Sequence, residues 1–221
     1  GIAYIMFYAG QWGGGDSKML MGLGAMIGID VGALSTQFLS GFIINALFVG
    51  AVYGLFWSFY LVLKNRKKFW AGFTKALSEK NAVKTKKLLL VSLVLFFALF
   101  LIANSYYAKI FVLSLAFLAL STFYLWVFVR TVEKTCMHRL VEPSKLTEGD
   151  WIVKDVHVWG KYITGPKDLG ISKSQIRKLT ELYEKGKVKK ILIKEGIPFV
   201  PSFLIAFVIT WTFGNPLILL V

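Results

Sequence analysis

The sequence predicts an all-α polytopic membrane protein, with about six apolar helical segments and one small cytoplasmic α+β insert. Three observations predict it. Hydrophobic residues fill 56% of the 221 positions and mean hydropathy is +0.63, too apolar for one or two soluble domains of this length. Charge is segregated, with nearly all of the net +14 in two blocks. The apolar runs do not alternate with a period of two over about ten residues, which argues against a membrane β-barrel.

Taken in order, residues 1–9 read as the last turns of a spanning helix. No initiator Met and no charged leader region stand before them, so no signal peptide is visible. Because the chain starts inside an apolar run, it is expected to lack an upstream segment. Residues 10–15 form a loop. Residues 17–29 are an apolar helical run shorter than the roughly 20 residues of a full span. Its Gly22, Gly24 and Gly28 suit close helix approach. A clear span follows over residues 38–63.

Residues 64–87 form a basic connector, in which Lys64, Arg66, Lys67, Lys68, Lys75, Lys80, Lys84, Lys86 and Lys87 face a lone Glu79. Residues 88–103 and 110–129 are two more spans. The short turn between them carries Tyr106 and Tyr107, which fit an interfacial belt. Residues 130–196 are polar enough for a small extramembrane insert. Within it, 151–158 and 188–194 read as strands. Ser172 and Gln175 have capping-box spacing, opening a helix that Gly186 ends. A final span over 197–221 opens Ile-Pro-Phe-Val-Pro. The chain thus divides into a helical membrane region at 1–129, the insert at 130–196 and a last helix at 197–221, with no internal repeat.

Lys and Arg collect on the cytoplasmic side of spans. Both basic blocks are therefore expected in the cytoplasm, and the turn at 104–109 outside. Tracing back through the spans puts 30–37 outside and the Gly-rich loop with Asp16 at the cytoplasmic face. Anionic lipid headgroups suit the basic blocks. Nucleic acid is not an expected partner, since no binding module accompanies the charge.

The candidate chemistry lies in Gln11-Trp12-Gly13-Gly14-Gly15-Asp16-Ser17-Lys18. Three glycines let the backbone bend and let another chain approach; the plain alternative is a flexible turn. Asp16 has a plain reading as a helix N-cap, but a carboxylate at the edge of an apolar bundle is desolvated and is a functional candidate by default. Lys18 is either a snorkelling lysine or a group that positions substrate or tunes Asp16. Pro198 and Pro201 either start the last helix or shape the site. Cys136 and His138, two residues apart, do not face each other on a helix, and the thiol is a bystander. His157 has no evident partner. One Cys and two His predict neither metal nor intramolecular disulfide, and no cofactor is expected.

Gly13-Gly14-Gly15-Asp16 fits the G-x-G-D motif of the intramembrane aspartic proteases. Its continuation, through Lys18 and Leu20 to Gly22-Leu23-Gly24-Ala25, resembles the corresponding segment of prepilin peptidases. Residues 197–204 resemble the I-P-F-x-P-x-L segment of that family. The bacterial members carry a cysteine-pair motif that this chain, with only Cys136, lacks. Its insert and its cysteine poverty resemble archaeal prepilin and preflagellin peptidases.

The resemblance implies a membrane aspartic endopeptidase that removes the short basic leader of type IV pilin-like and archaellin precursors at the cytoplasmic face. It implies Asp16 as one of two catalytic carboxylates sharing a proton, with Gly13, Gly14 and Gly15 shaping the backbone and Lys18 and Pro198 as possible positioning residues. In the family the partner Asp lies upstream on an early span. Here Asp30 is expected on the opposite face, while Asp150, Asp155 and Asp168 fall in the insert. An upstream helix outside this sequence is the expected source of the second carboxylate. Two alternatives stay open. A presenilin or signal-peptide-peptidase type shares G-x-G-D but wants Pro-Ala-Leu before its last span, where residues 198–202 read Pro-Phe-Val-Pro-Ser. A transporter or channel subunit would use the glycines as a helix break around an ion site.

Overall fold

The computed structural model describes residues 1–10, 12–28 and 38–216. Gln11, Asp30 with the rest of 29–37, and the last five positions of the expected final span lie outside the described residues. The chain divides into two compact units, Gly1–Phe59 with His138–Val221, and Tyr60–Met137.

In the first unit, a short helix α1 (Ile2–Tyr8) ends at a turn in which Gly10 takes φ +67°. Helix α2 (Gly14–Ile27) follows, and then α3 (Phe38–Lys64), which continues into the second unit. At 27 residues α3 is about 40 Å long, more than the hydrocarbon core requires. The last helix, α8 (Val200–Phe213), packs on α3 through small residues. Gly50 and Gly54 lie under Phe199, while Ser202 and Ala206 are fully buried. The buried Phe42 and Ala46 of α3 share one cluster with Phe203 and Ala206 of α8, and small residues in such a seam leave room for packing where lipid offers no hydrophobic driving force. Polar side chains in the same seam pair with each other: Asn45 donates to Thr210 at 2.9 Å, and Asn215 to Ser40 at 2.8 Å. Such pairing avoids unsatisfied groups in an apolar setting.

The insert is the α+β element expected. Strands β1 (His138–Val141), β2 (Trp151–Ile152) and β5 (Ile191–Lys194) form an antiparallel sheet in the order β1-β5-β2. Strands β3 (Val156–Val158) and β4 (Lys161–Thr164) form a hairpin. Trp159 and Gly160 at its tip both take positive φ, as a two-residue type I′ turn requires. The expected strand at 151–158 is thus split between two sheets. Helix α7 (Lys173–Glu184) begins with both halves of the capping box, Ser172 and Gln175, in place. It buries Leu179 and Leu182 against Ile152, Ile163, Ile171 and Ile191.

The second unit holds α4 (Arg66–Ser78), α5 (Lys80–Ile102) and α6 (Tyr106–Cys136). Residues 64–87, expected as a connector, are helical almost throughout. Lys and Ala favour helix, and buried Phe69 and Ala82 anchor the two pieces. Phe69 meets Phe128 edge to face at 5.6 Å. The α4–α5 corner is clasped by Glu79, which receives Lys134 at 3.0 Å and Arg130 at 3.3 Å. Helix α6 runs past 129 to Cys136, so the insert's first strand starts only at His138.

Within the described residues each of the six apolar segments contains a helix, but they do not make six spans. Among the described residues only α3, α5 and α6 are long and apolar enough to cross a membrane. The Gly-rich loop divides α1 from α2, and Gly214, at φ +78°, ends α8 after 14 residues. Outward-facing Phe48, Phe56, Leu88, Val91 and Phe117 are exposed along the three long helices. A hydrocarbon solvent suits such faces. The molecule has the build of a helical membrane protein.

Candidate functional site

The loop between α1 and α2 is held from three sides. The Trp12 backbone N–H donates to the Met6 carbonyl at 3.3 Å, folding the loop back onto α1. The Trp12 indole is buried and meets Phe203 of α8 edge to face, with centroids 5.7 Å apart. Gly10 packs against the insert, where Trp151 at the start of β2 stands 3.5 Å from the position of a Cβ on Gly10. A loop pinned at both ends and covered by an indole presents its glycines and Asp16 on a fixed frame.

The glycines differ in their roles. Gly13 is the N-cap of α2, in extended geometry at φ −66°, ψ 158°. Gly14 packs on Phe7, and Gly15 has open space where a Cβ would stand. Asp16 is not the N-cap. It is the third residue of the helix, half-buried, and its carboxylate accepts a hydrogen bond from the Gly13 N–H. This is the second half of a capping box, in which a side chain one turn in reaches back to the N-cap. Burial raises the Asp16 pKa above its ordinary value, and the Gly13 hydrogen bond offsets only part of that rise, although the free N–H groups and the dipole at this helix end also favour the charged form. With Gly15 open beside it, the carboxylate sits where a peptide backbone can approach.

Lys18 is exposed on α2. Pro198 is exposed ahead of α8, and Pro201 lies in its first turn. The last helix reaches the loop through Phe203, one turn beyond the prolines. Two residues that composition did not mark are part of the frame, Trp12 and Trp151. A third is Ser17, whose buried hydroxyl lacks a hydrogen-bond partner among the described residues. A hydroxyl directly after the motif Asp was the only signal for it.

Two carboxylates of the insert, Asp150 and Asp168, serve their own turns. Asp150 accepts from the Thr147 N–H and hydroxyl at 2.8 and 2.9 Å. Asp168 accepts from the Gly165 N–H and the Gln175 amide at 3.2 and 3.1 Å. Burial raises the Asp168 pKa, but the hydrogen bonds it accepts, those from Gln175 and the Gly165 N–H among them, outweigh it and hold the group below its ordinary value. Among the described residues no group of three or more His, Cys, Asp or Glu is placed to hold a metal ion. Comparison with family models, curated proteins and solved structures returned no match for this chain.

Proposed function

We propose that the protein is a membrane aspartic endopeptidase of the prepilin or preflagellin peptidase type, with Asp16 as one catalytic carboxylate. It removes the basic leader of pilin-like precursors at the cytoplasmic face of the cell membrane. The observation that supports this reading is the meeting of its two motif segments. Gly13–Asp16 and residues 197–204 resemble the same family at opposite ends of the chain, and Trp12 beside the first packs on Phe203 in the second.

The chemistry is acid–base hydrolysis. An ionised carboxylate takes a proton from water as the oxygen attacks the scissile carbonyl, while a protonated carboxyl donates to the carbonyl oxygen. The tetrahedral diol then collapses, the C–N bond breaks and the leaving amine takes a proton. Asp16 supplies one group. The reaction requires a second carboxyl facing it, and the turns that Asp150 and Asp168 close leave those two to the insert. Open Gly15 gives the substrate backbone room beside Asp16.

Asp16→Asn in the full-length protein tests the reading. Asn retains an oxygen to accept from the Gly13 N–H, so the helix start persists. Cleavage of a lysine-leader precursor in proteoliposomes is expected to fall by at least about 100-fold. Wild-type cleavage by the variant overturns the assignment.

A further inference from the structure

Helix α5 starts at Lys80, two turns ahead of its apolar run. That early start turns part of a basic stretch into a pattern. Lys80, Lys84 and Lys87 stand at i, i+4 and i+7, on one face of the helix, separated by rises of about 6 and 4.5 Å. With Ser78 and Val83 they line an open groove of about 300 Å³. The lone acid of the stretch does not neutralise them, because Glu79 is taken by Lys134 and Arg130 of α6. Among the described residues none of the three lysines has an ion pair.

The same face continues as Val91, Val94, Leu95, Ala98 and Ile102, every one exposed. One stripe of the helix therefore carries clustered ammonium groups at one end and bare apolar side chains along the rest. That is the inverse of an anionic phospholipid, which has a phosphate at one end and acyl chains below. We propose that the groove at the head of α5 binds the phosphate of an anionic phospholipid, whose acyl chains lie along the stripe from Val91 to Ile102. A zwitterionic lipid is disfavoured, since its own cation would meet three ammonium groups. The apolar continuation favours a lipid over a soluble phosphate. The site does not depend on the protease reading.

The test is lipid retention by the purified full-length protein in native mass spectrometry. Detergent micelles are doped with phosphatidylglycerol or with phosphatidylcholine of the same acyl chains. The expected result is preferential retention of phosphatidylglycerol, reduced at least about tenfold in Lys80→Gln/Lys84→Gln/Lys87→Gln. The matching Lys→Arg triple variant should retain the lipid, and a 10 mM excess of inorganic phosphate should leave it bound. Equal retention of the two lipids, or full retention by the Gln variant, overturns the proposal. So does loss in the Arg variant, or displacement by free phosphate, which would mark a soluble-anion site.

Discussion

Trp12 and Phe203 meet edge to face, with ring planes 77° apart. The pair joins the loop before Asp16 to the last helix, and both rings are buried, with 9% and 2% of their surface exposed. Truncating such a ring costs about 3–5 kcal/mol in a packed core. Trp12→Ala and Phe203→Ala should each lower the thermal unfolding midpoint of the detergent-solubilised protein. The double variant should lose less than the sum, by about 0.5–1.5 kcal/mol. Strictly additive losses would mean that the two rings do not support each other.

What the sequence makes legible here is local. Ser172 and Gln175 lie three residues apart, and the helix they start needs only that spacing and Gly186 beyond its end. The long apolar runs announce α3, α5 and α6 for the same reason. Two kinds of feature are hidden. Asp16 reads as an N-cap because three glycines are poor helix formers, yet the helix starts inside them, at Gly14. Lys80 to Lys87 read as a connector because charge masks a helix that Ala82 anchors. The meeting of Trp12 with Phe203, and of Gly10 with Trp151, has no local signature, since each joins residues far apart in the chain. The candidate site's residues thus sit in one local stretch of sequence, whereas the contacts that hold that stretch do not.

Gly41 of α3 lies tightly against Asn215, just beyond the end of α8. A Cβ there would stand 2.8 Å from the Asn215 Cα, and backbone cannot yield as a side-chain tip can. The same Asn215 is held by its hydrogen bond to Ser40. Gly41→Ala should therefore destabilise the protein by about 1–3 kcal/mol through overpacking. Gly22→Ala is the control, because nothing lies within 4 Å of its Cβ position, and the better helix former should leave stability unchanged or raise it by up to about 1 kcal/mol. Thermal unfolding of both variants in one detergent separates them; equal midpoints would contradict the packing.

Ser17 carries a buried hydroxyl without a partner among the described residues. Such a group is desolvated with no hydrogen bond in return, at about 1–3 kcal/mol. Ser17→Ala should consequently be neutral or stabilising in the same unfolding assay. If the hydroxyl serves precursor cleavage beside Asp16, the variant gains stability and loses turnover together. A clear loss of stability would show that the hydroxyl has a structural partner.

Glu79 sets a pH limit on the α4–α5 corner. The hydrogen bond from Lys134 lowers its pKa below the ordinary 4.5, helped by the charges of Lys134, Arg130 and Lys75 and opposed by partial burial. A carboxyl with a lowered folded-state pKa stabilises the fold above its unfolded value. That contribution is lost as pH falls from about 4.5 through the folded value. Corner stability should thus be flat at neutral pH and decline only in acid, when protonation releases Lys134 and Arg130. Glu79→Gln should lack the decline and behave at pH 7 as the wild type does in acid. Amide hydrogen exchange across residues 76–84, corrected for its intrinsic pH dependence, reads this directly. Identical exchange in the two proteins at pH 7 would show that the ion pairs do not hold the corner, as happens for many exposed pairs once solvent screens them.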